Sequence, residues 1–343
     1  MTSVSVFPAH LVIILIATVL FLASGVVPVS AVTISDDAGS VVTLNATPSR
    51  IVSLAPSNTE IIAALGLLDR VIGITDVCDY PPEVKSISRI GSYASFSIEK
   101  ISAAHPDLVL ASDITPKETI QQLRGLGLTV VVVSPHNIDQ VVRDIRMIGE
   151  VTGEETRAGM LATNLSSRLA AIAPVGSATR RPTVAHVVWN NPLYVSGNDT
   201  LQNDVIEHAG GKNVFANIDG WGTVSLEEFL VRNPDIIVVS GGDGMDDTAR
   251  DEILDDFMTS PQYASLSAVK DHRVYAVNAD AISRAGPRIV DATEQVAADI
   301  RGPDLDKRTV SGSMSPAARS PGFCAGNVVL LICIITGLRR AGL

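Results

Sequence analysis

Two carboxylates stand in equivalent settings along this chain. Glu99 lies in Ser97-Ile98-Glu99, followed by Pro106-Asp107-Leu108-Val109, and Glu227 lies in Ser225-Leu226-Glu227, followed by Pro234-Asp235-Ile236-Ile237. All matched positions are shifted by one constant interval, too long for a solenoid repeat, which suggests two similar lobes. Each copy reads as a short helix opened by a capping Ser, then a Pro-Asp turn, then a buried apolar strand. A first-turn acid gains about 0.3–1 kcal/mol from the helix dipole wherever it occurs. Repeated at a fixed offset, one acid per lobe also suits ionic contact with a partner built of two equivalent halves. Asp107 and Asp235 read as turn residues only.

No catalytic constellation accompanies them. His105, His136, His186, His208 and His272 fall in separate segments without metal-ligand spacing. No Cys pair, Gly-x-Ser-x-Gly elbow or phosphate-binding glycine loop is present, so neither an enzyme nor a resident metal or cofactor is implied. Asp243, Asp246 and Asp247 form an acidic loop that lacks the spacing of a calcium loop and reads as solvated. The aromatic residues are few (2 Trp, 5 Tyr and 7 Phe), so their placement carries weight. Tyr80, Tyr93, Trp189, Tyr194 and Trp221 are each expected just after a strand or just before a helix. Open α/β sheets bind ligands beyond the carboxyl ends of their strands, and two facing sheets would aim these rings into one cleft. Such a cleft suits a large, flat, partly apolar ligand such as a macrocycle. The plainer alternative is that Trp189 and Trp221 fill core between the lobes.

The elements that would hold these residues alternate between strand and helix. Residues 32–49 read as a small hairpin around Asp36-Asp37-Ala38-Gly39. Residues 50–151 then give strands near 50–54, 71–74, 108–111 and 129–133, with helices at 58–67 and 116–126. This alternation predicts an α/β fold with a parallel sheet covered on both faces. Thr152-Gly153-Glu154-Glu155 reads as a capping box opening a long helix over 152–173, with Ala158, Leu161, Ala162, Leu165 and Leu169 at helical spacing. That helix is a rigid rod joining two Rossmann-like lobes. The second lobe occupies 174–301, with strands at 183–188, 236–240 and 274–277 and a closing helix over 288–300. A polar tether covers 302–320.

Both ends read as processing segments. The apolar run Leu11–Leu22 and the small residues before Ala31 make 1–31 a secretory signal peptide, although its first ten residues contain no Lys or Arg. No Cys lies near the cut, which argues against N-terminal lipid attachment. At 321–343, Ser320-Pro321-Gly322-Phe323 precedes an apolar stretch closed by Arg339-Arg340. This resembles an archaeal Pro-Gly-Phe sorting signal that is cut and replaced by lipid. A short membrane helix is the alternative. Either reading places the protein outside the cell and anchored at its surface through the C-terminus. The net charge of −11 excludes a basic nucleic-acid surface. Of the three Cys only Cys78 lies between these ends, so no internal disulfide is possible after processing. Three glycosylation sequons begin at Asn45, Asn164 and Asn198.

Several motifs in order carry a family resemblance: Arg50-Ile-Val-Ser-Leu-Ala-Pro-Ser-Asn-Thr-Glu60, Asp76-Val-Cys-Asp-Tyr80-Pro-Pro-Glu83, the doubled Ser-x-Glu…Pro-Asp unit, and Arg284-Ala-Gly-Pro-Arg288. Over residues 48–300 the chain resembles the periplasmic binding proteins for cobalamin and iron complexes, the substrate-binding subunits of ABC importers. The resemblance implies two α/β lobes joined by one long helix, a macrocyclic cargo, and delivery to a homodimeric permease with its ATPase subunits. It implies that Glu99 and Glu227 dock on that permease, that Tyr93 and Trp221 pack on a corrin ring, and that Tyr80 lines the first lobe. Asp280 and Arg284 would meet ligand amides, while Arg288 would either do the same or pair with Asp291 or Glu294 at its helix start. Cobalamin or another corrinoid is the expected cargo, and an iron-siderophore or haem is the alternative. A chelatase-like tetrapyrrole enzyme and a surface sensor or adhesin are readings of other classes.

Overall fold

The computed structural model describes residues 31–92, 95–172, 180–241 and 249–302. The segments expected to be a signal peptide, a tether and a C-terminal sorting signal therefore lie outside the described residues, apart from their innermost positions, as do Tyr93 and the acidic loop at 243–247. Among the described residues no helix is long and apolar enough to cross a membrane.

The first lobe is built on four parallel strands in the order Val71–Ile74, Ile51–Ser53, Leu108–Ala111, Val130–Val132. Their apolar side chains alternate between two buried faces, as a period of two requires. Val52, Val109, Val130 and Val132 face one apolar cluster, while Ile51, Leu108, Leu110 and Val131 face another. The N-terminal hairpin pairs Val32–Ser35 with Val41–Leu44. Its turn fastens to the open edge of this sheet: Asp36 accepts from Arg124 at 2.9 Å and from the Val132 N–H at 3.2 Å, and Asp37 accepts from the Ser134 N–H at 2.6 Å. Covering an edge strand in this way removes a template for unwanted pairing.

The second lobe departs from the all-parallel expectation. Thr183–Asn190, Ile236–Gly241 and Val274–Asn278 are parallel. Two further strands, Leu193–Ser196 and Trp221–Val224, extend the sheet antiparallel at one side. Trp189, Tyr194 and Trp221 therefore lie within strands rather than beyond them. Here too the faces alternate: Val184, Ile236 and Val238 join the apolar cluster that contains Ile51 and Leu108, while Ala185, Val187, Ile237 and Val239 pack against Phe215, Phe229 and Phe257. One apolar layer thus runs unbroken from the first sheet to the second.

Helices fill that shared layer. Ile138–Thr152 ends at Gly153, whose φ of +73° makes a left-handed cap, and Glu155–Ala171 returns alongside it for 17 residues. The expected capping box does not form. Thr152 is the last residue of the preceding helix and its hydroxyl donates to the Ile148 carbonyl at 2.6 Å. The turn instead relies on Gly153 and on Glu154, which pairs with Arg70 at 3.1 Å. The second helix buries Ala158, Ala162 and Leu165. Near its end Arg168 grips Asp291 and Glu294, at 2.5 and 2.6 Å, in the closing helix Ile289–Arg301. The lobes also touch directly: Asp204 of the helix Leu201–His208 accepts the Ile138 N–H at 2.7 Å, satisfying an orphan donor at the start of the first-lobe helix.

The doubled sequence unit is doubled in detail. Ser97 and Ser225 both cap their helices, accepting the N–H of Lys100 at 3.2 Å and of Glu228 at 3.1 Å. His105 and Asn233, at matching positions, both adopt left-handed conformations with φ of +47° and +40°. Asp107 and Asp235 are more than turn residues. Asp107 accepts the backbone N–H groups of Ser49 and Arg50 at 2.8 and 2.9 Å, and Asp235 accepts that of Thr183 at 2.7 Å. Each carboxylate clamps the start of its lobe's first strand. Asp235 is held below the usual carboxylate range, because the Thr183 hydrogen bonds and Arg180 outweigh the raising effect of burial.

Candidate functional site

A cleft of about 530 Å³ opens between the lobes, within the range of roughly 300–1,000 Å³ typical of small-molecule sites. First-lobe strands supply one wall from just beyond their carboxyl ends: Ala55-Pro56-Ser57, Ser112-Asp113-Ile114 and Val133-Ser134-Pro135. The second lobe faces them with Leu201, Trp221 and the stretch from Asp280 to Ala285. Strands ending at a common edge and loops diverging from it create this opening, as in other open α/β sheets.

The proposed rings are not all gathered here. Trp221 lines the cleft and is 38 % exposed. Tyr194 stacks on it, with centroids 5.7 Å apart and planes at 15°. Cross-strand pairing of Trp221 with Ser196, two residues from Tyr194, puts both rings on one face. The edge of His186 abuts Trp221 at 6.1 Å. Burial pushes His186 down to about 3, so this imidazole is neutral, with Nε2 on Ser240 Oγ at 3.1 Å and Nδ1 unpartnered. Trp189 pairs across the ladder with Tyr194, but its indole N–H is tied to the Asn191 carbonyl at 2.8 Å, and it does not line the cleft.

Tyr80 is a second departure. Its ring lies under the Arg288 guanidinium at 4.1 Å. Together with Arg168 and Pro287 it lines a separate pocket of about 340 Å³. A ring so covered is a cation–π support for Arg288. It is not a wall of the cleft.

Asp280 and Arg284 do meet at the cleft, 2.8 Å apart. Burial raises Asp280, against the lowering effect of Arg284. Arg284 also reaches Asp79 at 2.6 Å and Glu60 at 3.2 Å. For Asp79 burial is outweighed by that arginine, which holds the carboxyl below its ordinary value. Arg288 does not pair with Asp291 or Glu294, which belong to Arg168; it takes Glu60, through two bonds of 2.9 and 2.6 Å. Glu60 and Asp79 were not singled out from the sequence. A signal was there for Glu60: an acid running straight into Ile61-Ile62-Ala63-Ala64 within one short helix cannot be buried with them without a cation. Among the described residues no group of three or more His, Cys, Asp or Glu could hold a metal ion.

Glu99 and Glu227 are both exposed in the first turns of their helices. Ser97 Oγ donates to Glu99 at 3.3 Å. Glu227 is held below the usual carboxylate range by its own backbone N–H and by Ser225. The neighbouring Glu228 is occupied by Arg232 at 3.0 Å.

Comparison with known proteins settles the family. Residues 51–281 match the periplasmic binding protein family model. This chain belongs to that family. It is 36% identical over 277 residues to an uncharacterised ABC transporter substrate-binding lipoprotein of Bacillus subtilis, covering 78% of this chain and 85% of the relative. It is 32% identical to a vitamin B12-binding protein of Photorhabdus laumondii, over 74% of this chain and 88% of the relative. Among solved structures, a periplasmic haem-binding protein from Roseiflexus sp. RS-1 in apo form superposes with a TM-score of 0.65 at 28% identity, covering 74% of this chain and 98% of that one. The expected fold class, two α/β lobes with a connecting helix, is the fold of these periplasmic binding proteins.

Proposed function

We propose that this protein is the extracytoplasmic binding subunit of an ABC importer and that its cargo is a corrinoid held in the cleft between the lobes. The observation that carries the ligand class is Trp221, backed by the stacked ring of Tyr194, on one wall of a cleft whose only described cationic side chain, Arg284, is already surrounded by Glu60, Asp79 and Asp280. An aromatic face suits the corrin plane, and an arginine already paired with acids suits neutral amide side chains better than it suits an anionic chelate. The likeness to the vitamin B12-binding protein points the same way.

Delivery would follow by docking of Glu99 and Glu227 on the two halves of a homodimeric permease, with ATP hydrolysed by partner subunits. Retention at the outer face would come from the C-terminal segment, cut and lipid-modified after Pro321-Gly322-Phe323; the motif itself is the support for this step. The ligand reading is tested by titrating the full-length protein with cobinamide and cyanocobalamin, following heat and corrin absorbance. Saturable one-to-one binding is expected, and Trp221→Ala should weaken it by about tenfold or more, the scale of one lost aromatic contact. Absence of saturable binding to either corrinoid would overturn it.

A further inference from the structure

Glu60 lies on the helix Pro56–Ala64 and is 3 % exposed. An ionised carboxylate at that depth is tolerated only with close, well-formed partners. Its cations come from the opposite lobe: Arg288 holds it through two bonds of 2.9 and 2.6 Å, and Arg284 adds a third at 3.2 Å. Between the two arginines sits Gly286, where a Cβ would come within 3.2 Å of Glu60 Oε2. The Arg284-Ala285-Gly286-Pro287-Arg288 segment thus forms an arch whose bare backbone admits the carboxylate and whose two ends grip it. Arg284 is in turn fixed from other sides by Asp79 and Asp280, at 2.6 and 2.8 Å, while it borders the cleft.

We propose that Glu60 is a positioning residue that sets both the placement of Arg284 in the cleft and the spacing of the lobes. Ligand then enters a preformed cleft, and it leaves when the partner membrane protein, acting on both lobes, breaks the Glu60–Arg288 pair. The inference rests on the reading of the cleft and its docking face given above. Hydrogen bonds of this kind are lost over an ångström or so of separation, so the pair behaves as a latch with two positions.

The test places spin labels at Lys100→Cys and Val231→Cys, one exposed site per lobe, in the full-length protein carrying Cys324→Ser and Cys333→Ser, whose remaining native Cys78 is buried. Double electron–electron resonance then reads the distance between lobes without ligand, and stopped-flow absorbance reads cobinamide release. The expected result is one narrow distance distribution for the parent. In Glu60→Gln the distribution should broaden or lengthen and release should quicken about tenfold or more, the usual consequence of removing one partner of a buried charge pair. Arg288→Lys, which keeps the charge but loses the two-point fork, should fall between them. A Glu60→Gln distribution that superposes on the parent overturns the inference whatever the ligand proves to be. Should that variant not fold, an unchanged distance and release rate in Arg288→Lys overturns it equally. A changed distance in a protein whose parent ignores cobinamide upholds the role of Glu60 in spacing the lobes and removes only the corrinoid.

Discussion

At the scale of single residues, the contact between Asp204 and His208 adds a pH dependence to the junction of the lobes. Hydrogen bonding to Asp204 outweighs burial and raises His208 to about 9, whereas an unfolded His titrates near about 6.5. A group raised on folding contributes fully below its unfolded value and loses that contribution as the pH climbs through its folded one. The melting temperature of the parent should therefore drop further between about pH 6.5 and 9 than that of His208→Gln, a difference that scanning calorimetry can measure. The two clamps give a second prediction. Asp107→Ala and Asp235→Ala should each cost about 1–2 kcal/mol in denaturant unfolding, because several backbone and hydroxyl donors lose their acceptor. These residues show how repetition is read. The doubled motif made all four acids visible, and helix-start position separated Glu99 and Glu227 from the Pro-Asp pair. What sequence reading could not supply was the partner of Asp107 or Asp235, because Ser49 and Thr183 lie far away along the chain and meet them only through the sheet.

At the scale of elements, the decisive contact joins Ile138–Thr152 to Glu155–Ala171. A Cβ on Gly149 would overlap that of Ala158, so the absence of a side chain sets how closely the two helices run. Gly149→Val should force them apart at a cost of about 1–3 kcal/mol, the range found for overpacked interiors, and thermal melting would register it. Strands of the first lobe were legible because they are short apolar runs bounded by turns, the pattern of a sheet buried on both faces. The antiparallel pair in the second lobe was not. Leu193–Ser196 and Trp221–Val224 mix exposed and buried positions over only four residues each; Pro192 and Gly220 beside them read as loop. Missing those strands also misplaced the aromatic residues, since ring orientation follows from ladder register: the register unites Trp221 with Tyr194, and a bond to Asn191 holds Trp189 elsewhere. Tyr80 was misplaced for a different reason, an arginine from the far lobe that no local pattern announces.

At the scale of the whole molecule, the two exposed carboxylates predict a separation of functions. Reversing the charge of both, Glu99→Lys with Glu227→Lys, should leave corrinoid titration unchanged while abolishing uptake of labelled cyanocobalamin by cells that depend on this protein; retained uptake would count against docking through these positions. Each reversal gives up a first-turn interaction of about 0.3–1 kcal/mol with its helix dipole, so the double variant should melt slightly below the parent while staying folded at the titration temperature. The unbroken apolar layer between the sheets has a consequence for how the chain can be divided. A fragment ending at Ala171 would keep the first sheet and both central helices yet leave bare the surfaces of Ile148, Ala162 and Leu165 that now join the cluster containing Val184, Val205 and Ile289. Two halves that look separable in outline are, for solubility and for heat, one body: neither should survive excision, and the intact chain should melt in a single transition whose calorimetric and van't Hoff enthalpies agree.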